Sequence, residues 1–191
     1  MANKYITTLL LFVLTVFPAG VTIAFTYFSS AHPVESHELE NDAFLNDSEN
    51  KLEILFFGYV GCHDVCPSTL ARISNVLKTS EFKTLPVKTG ALFIDINATD
   101  RRIPEQYAGS FSENIRAFAP GTEEFRSISK EFVLRIYENR DNSDRISHTD
   151  HIFILKKTNK KWSIQRVLKN TIDENKLLKI LQLEASAISP E

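Results

Sequence analysis

The apolar residues of this chain fall into runs of three kinds, and each kind predicts a different element. The first is Ile6 to Phe28, 23 positions without a single charge. About 20 apolar residues at 1.5 Å each cross the hydrocarbon core of a bilayer, so this run predicts a transmembrane helix. Pro18 and Gly20 inside it are tolerable in such a helix. The second kind is short and nearly continuous, as in buried strands: Leu52 to Tyr59, then Val87 to Ile96 with Ala91-Leu92-Phe93-Ile94 at its centre. Ile152 to Leu155 and Trp162 to Val167 form a hairpin through the polar turn Thr158-Asn159-Lys160, and Val133 to Tyr137 alternates like a half-buried strand. The third kind has helical spacing. Leu70, Ile73, Val76 and Leu77 follow a start near Val65 to Ser68, and Tyr107, Ala108 and Phe111 follow Pro104. Thr122 with Glu123 and Glu124 opens a helix to about Phe132, and Leu177, Leu178, Ile180 and Leu181 mark a closing helix.

The order βα, βα, αβ, ββ, α predicts an α/β fold of thioredoxin-like plan with a C-terminal β-hairpin. The expected divisions are a cytoplasmic N-terminus (1–5), the membrane segment (6–28) and an acidic flexible tether (29–50). The folded domain (51–185) and a tail (186–191) complete the chain. The tether reading rests on polar, acidic composition without a hydrophobic period.

Charge sets the orientation. Lys4 precedes the apolar run, whereas Glu35, Glu38, Glu40, Asp42, Asp47 and Glu49 all follow it before Lys51. Cationic flanks stay in the cytoplasm, so the domain is expected outside it, on the periplasmic face of a bacterial inner membrane. A cleaved signal peptide is the rival, since Ser29-Ser30-Ala31 offers small residues at a cleavage site. The run exceeds the usual apolar length of such signals, which favours an uncleaved single-pass anchor. A net charge of −2 excludes the basic signature of nucleic-acid binding.

The two cysteines both lie in Gly61-Cys62-His63-Asp64-Val65-Cys66-Pro67, between a strand and a helix. Spacing of i and i+4 puts both sulfurs on one helical face. A helix N-terminus stabilises thiolate, the form that binds metal and attacks disulfides. Two thiolates select soft ions such as Cu(I). The bland alternative is a passive Cys62–Cys66 disulfide. Farther on, Ser147-His148-Thr149-Asp150-His151 precedes a strand where a thioredoxin-type enzyme would place a cis-proline, and no proline occurs between Pro120 and Pro190. His151, flush against Ile152 to Leu155, would add an imidazole to two thiolates and suit copper in either oxidation state. His148 reads as a polar loop residue.

With these residues in place the chain resembles the Sco/SenC family of copper-binding proteins that help assemble cytochrome c oxidase. The likeness is carried by Phe56-Phe57-Gly58-Tyr59 before Cys62-x-x-x-Cys66-Pro67, by Asp95 ending the next strand, and by Asp150-His151 before the hairpin strand. It spans roughly Lys51 to Leu183. The resemblance implies copper ligation, as Cu(I) and Cu(II), by Cys62, Cys66 and His151. It also implies a supporting role for Asp95, orienting or charge-balancing a ligand. Two positions depart from the family's habit: His63 stands where a proline or small residue is common, and Asp95-Ile96-Asn97 replaces Asp-Pro. His63 is then either a fourth ligand or a solvent-facing side chain.

Two functions follow. In one the protein is a metallochaperone, not an enzyme, which passes copper to the dinuclear copper centre of the oxidase subunit. In the other it is a membrane-anchored thiol–disulfide oxidoreductase, with Cys62 attacking and Cys66 resolving, that reduces the oxidase's copper-ligand cysteines. A peroxidase would need a threonine or serine shortly before the attacking cysteine and an arginine fixing the peroxide, and neither is convincingly placed here.

Overall fold

A computed structural model describes residues 5, 12, 16–18, 32–138 and 146–188. The chain divides into two units, Met1–Pro33 and Val34–Glu191. The expected membrane run lies almost wholly outside the described residues, among which no helix is long and apolar enough to cross a membrane.

The second unit is built on a five-stranded sheet. Its strands, β1 (Leu52–Gly58), β2 (Thr89–Asp95), β3 (Ile115–Phe118), β6 (His151–Thr158) and β7 (Lys161–Lys169), lie in the order β3-β2-β1-β6-β7. β1, β2 and β3 run parallel, and β6 and β7 form the antiparallel hairpin. The helices are α1 (Val65–Lys78), a single turn α2 (Ser80–Lys83), α3 (Arg102–Phe111), α4 (Thr122–Glu131) and α5 (Glu174–Ser186). This is the expected thioredoxin-like plan with its C-terminal hairpin.

Strand alternation sorts the core into two layers. Leu52, Ile54, Phe56, Phe93, Ile152 and Ile154 face α1, α3 and α5, where Cys66, Leu70, Ile73, Ala108, Leu177 and Leu181 are buried. Leu55, Phe57, Leu92, Ile94, Phe153 and Leu155 face the other side, against Ile128 of α4 and Phe132. Phe57, Phe132 and Phe153 meet edge to face there, with centroids 5.0 to 5.7 Å apart. Such pairs add about 0.5–1.5 kcal/mol each beyond the area they bury. β1 is buried at all seven positions because it has strands on both edges and layers on both faces.

Two expectations need correction, and one strand has no counterpart in the sequence pattern. Residues from Val34 onward are not a tether: Val34, Leu39, Phe44 and Leu45 are buried in the second layer. Ser36 and Leu39 donate backbone hydrogen bonds to Ile164 and Trp162 (2.7 and 2.8 Å), so the segment runs along the edge strand β7 and covers it. The amides of Glu40 and Asn41 both donate to the Glu131 carboxylate at 2.9 Å. Glu35 accepts from the amide of Val167 on β7 at 3.0 Å, and the irregular backbone of the segment leaves no period to read.

Secondly, Val133 to Tyr137 is not one strand. Leu134 N–H bonds Ser129 O (2.9 Å) while Val133 sits at φ 50°, the left-handed residue of a helix C-terminal motif that glycine usually fills. The strand β4 is only Ile136–Glu138, and it pairs with β5 (Ile146–His148) in a separate ribbon. The strand without a counterpart is β3, parallel but too short, at four residues, to show a pattern. The hairpin turn lies where the sequence placed it, with Asn159 and Lys160 both at positive φ, as a two-residue turn of this kind requires.

Candidate metal centre

The parallel strands all end at the same edge of the sheet, and the chemistry collects there. Leaving β1 at Gly58, the chain turns through Gly61 at φ 100°, and Cys62 N–H bonds back to Tyr59 O at 3.2 Å. Helix α1 then begins at Val65. Asp64 precedes it but makes no side-chain cap, and the amide of Cys66 instead donates to Cys62 Sγ at 3.4 Å. A sulfur thus takes the place of a capping oxygen at the positive end of the helix. Pro67 costs nothing in this first turn, where no helical acceptor awaits its missing N–H.

The two thiols are free and unlike each other. Cys62 is half-buried. Partial burial works to raise its thiol, but hydrogen bonds from Cys66 and from the amides of Asp64, Cys66 and Val65 outweigh it, and the group lies below the ordinary thiol value. Cys66 is fully buried, and burial, then its bond to Cys62, push its thiol far up. The outer sulfur therefore ionises more readily than the inner one, which holds its proton.

Gly58 is required at this point. A Cβ there would stand 2.8 Å from both Cys66 Sγ and the Phe93 ring. Asp95, opposite Gly58 in the β1–β2 register, is 2% exposed on the same side of the sheet as Cys66. Its carboxylate accepts from Val60 N (3.0 Å) and Asn97 N (2.8 Å), which ties the strand end to the cysteine loop. Burial raises its pKa against the pull of these amides, and its charge in turn raises that of Cys66. Asp95 therefore ties the cysteine loop to the end of β2.

The histidines separate. His151 opens β6, half-buried, with its ring 6.4 Å from that of Phe153. Alternation along β6 assigns it to the layer of Phe153, while Ile152 shares the layer of Cys66. His148 lies on the short ribbon; its Nδ1 donates to Thr149 O (2.8 Å), and its ring meets Tyr59 edge-on at 6.0 Å. His63 is exposed. Among the described residues no group of three or more His, Cys, Asp or Glu side chains is placed to hold a metal ion. The structure brings together Cys62, Cys66 and Asp95, and it leaves His151 at the neighbouring strand end. Sequence reasoning named Gly58 and Tyr107 without giving either a place at the site; the only signal for the latter was a tyrosine where the helical period asks for an apolar ring.

As a donor set, one readily ionised thiol and one buried thiol suit a soft monovalent ion that prefers two sulfurs. With Cys62 ionised, replacing the Cys66 proton by Cu(I) leaves the net charge of the pair at −1. Burial that resists loss of the proton alone therefore does not resist the exchange.

A family model described as SCO1/SenC matches residues 38–183. A SCO2-like protein of Rickettsia prowazekii is 21% identical over 121 residues, which are 62% of this chain and 59% of that protein. The chain thus spans about three fifths of the length of this curated relative. Among solved structures, Arabidopsis thaliana ScoI with copper bound superposes with a TM-score of 0.63 at 16% identity, covering 72% of this chain and 85% of that one. BsSco, described as a member of the Sco family of cytochrome c oxidase assembly proteins and as holding a disulfide switch, gives 0.54 at 13% identity, covering 73% and 82%. These structures share the fold, and the family model shows the membership: this chain belongs to the SCO1/SenC family.

Proposed function

We propose that the protein is a copper metallochaperone, which takes Cu(I) as cargo on Cys62 and Cys66 and delivers it to the dinuclear copper centre of cytochrome c oxidase during assembly. The observation that supports this most is the unlike pair of sulfurs at the N-terminus of α1. A ready thiolate captures the ion, and the buried thiol exchanges its proton for it without change of charge. Delivery then needs only stepwise ligand exchange between sulfur sites, with no general acid or base. Cu(II) is harder and takes nitrogen as well as sulfur. In this reading the His151 ring swings from its place beside Phe153 to the sulfurs to complete that state. The segment 6–28 holds the domain on the periplasmic face of a bacterial inner membrane.

One observation favours a second reading. An outer thiol below its ordinary pKa beside a buried one above it is also the pattern of an attacking and a resolving cysteine. On that reading the protein reduces the copper-ligand cysteines of the oxidase subunit.

Anaerobic titration of the reduced, detergent-solubilised full chain against a chromophoric Cu(I) chelator separates the two. The wild type should bind one Cu(I) per chain, and Cys62→Ser or Cys66→Ser should each weaken binding at least about a hundredfold, about 2.7 kcal/mol. His151→Ala should keep Cu(I) more weakly, lose the Cu(II)–thiolate absorption band and fail to load the oxidase, while its thiols stay reactive. His148→Ala should do none of these. Retention of Cu(I) by either serine variant would remove the chaperone reading, and full oxidase loading by His151→Ala would transfer support to the reductase. For placement, a C-terminal reporter active only outside the cytoplasm should remain in the membrane fraction; its release as a soluble product would show a cleaved signal.

A further inference from the structure

Tyr107 stands on α3, in the layer that contains the cysteines. Its ring packs against Phe93 (centroids 5.7 Å apart) and Phe111 (5.3 Å), contacts that a phenylalanine would make equally well. The hydroxyl is what differs. It is buried, and among the described residues it has no hydrogen-bond partner. Buried polar groups without partners are rare and costly, so an oxygen kept at such a position asks for an acceptor.

The neighbours indicate which acceptor. Phe93, on which Tyr107 rests, and Cys66 Sγ both border Gly58, each 2.8 Å from where a methyl group there would stand. Burial first, then the charges of Cys66, Cys62 and Asp95, push the phenol up to about 12, so it is a protonated donor at neutral pH, within electrostatic reach of both sulfurs. A thiol sulfur accepts hydrogen bonds weakly, whereas a charged acceptor makes a bond roughly twice as strong. Asp95 is already engaged by two backbone amides.

We propose that Tyr107 is a positioning residue for the dithiol, whose O–H donates to a cysteine sulfur once that sulfur carries negative charge, as thiolate or as copper thiolate. The hydroxyl then favours the reduced and metal-bound forms over the disulfide. The copper arm of this idea rests on the metallochaperone reading; the redox arm stands on the thiols alone.

Tyr107→Phe removes one oxygen and keeps the packing, so the full chain in detergent can be compared directly with wild type. Two constants are measured: Cu(I) affinity by chelator competition, and the dithiol–disulfide equilibrium in glutathione buffers. In the latter, Cys62 and Cys66 give two electrons and two protons to glutathione disulfide and form their own S–S bond while two glutathiones are released. Tyr107→Phe should weaken Cu(I) binding about tenfold and move the equilibrium about tenfold toward disulfide, about 30 mV more negative, with no loss of thermal stability. Phe111→Leu, which disturbs the same packing but keeps the hydroxyl, should lower stability and leave both constants within about twofold. Constants for Tyr107→Phe within twofold of wild type, or an equal shift in Phe111→Leu, would overturn the proposal. If the wild type itself retains no Cu(I), the chaperone reading fails, and the glutathione equilibrium alone decides the role of Tyr107.

Discussion

Two carboxylates are buried in the central sheet, one near each end, and they are treated in opposite ways. Glu53 sits in β1 with no exposed surface. It accepts from Ser48 Oγ (2.8 Å) and Asn50 Nδ2 (2.9 Å) and pairs with the Arg116 guanidinium at 3.1 Å. Its partners are side chains from the covering segment and from β3, so the charge is matched and three pieces of chain are pinned together. Asp95, at the far end of β2, has no cationic partner among the described residues. The hydrogen bonds that hold it come from backbone amides, and its charge raises the Cys66 thiol. A compensated charge serves the fold. An uncompensated one raises the proton affinity of whatever is beside it, and is tolerable only where the chemistry uses that.

The largest effect should come from breaking the matched end. Glu53→Ala leaves Arg116, Ser48 and Asn50 without their acceptor and should cost about 3 kcal/mol of stability in denaturant unfolding. The thiol pair should bind copper as before in the folded fraction. Lost copper affinity at unchanged stability would show that the two ends are not separable.

Gly58→Ala tests the other end by crowding rather than by charge. The new methyl would overlap Cys66 Sγ and the Phe93 ring, at a cost of about 2 kcal/mol, and would displace the inner sulfur. Here stability and copper affinity should fall together. A variant as stable as wild type with intact affinity would mean that the sulfur has room to move.

The smallest effects lie in pH. With its pKa raised, Asp95 binds its proton more tightly in the folded state than in the unfolded one. Its contribution is therefore fully present below the unfolded value and is lost as pH rises through the folded one. Asp95→Asn should remove that slope from the stability profile, measured by thermal melting from acid to neutral pH. In the same pH series, iodoacetamide should label Cys62 at lower pH than an ordinary cysteine and spare Cys66 throughout. Equal labelling of the two would erase the distinction on which both functional readings rest.

Much of this was legible in the residues alone. The central strands showed as nearly continuous apolar runs because burial on both faces admits a polar side chain only where it finds partners, as Glu53 does. The start of α1 and the two-thiol motif were visible because they depend on neighbours within five positions, as did the hairpin turn at Asn159 and Lys160. Other features depend on residues distant in the chain. Val34 to Leu45 looked like a tether, since its irregular backbone carries no period and distant residues such as Ile164, Trp162 and Glu131 make it part of the domain. Val133 was read as strand because a valine at positive φ defies local preference, held there by the capping of α4. Likewise the contrast between Cys62 and Cys66 cannot be seen in their symmetric spacing. It comes from the depth at which the sheet buries one sulfur, from Asp95 brought beside it by β2, and from strand alternation that turns His151 toward the opposite layer. Short-range patterns set the elements and the donors, whereas burial and charge at the site arise from contacts between parts of the chain that share no local pattern.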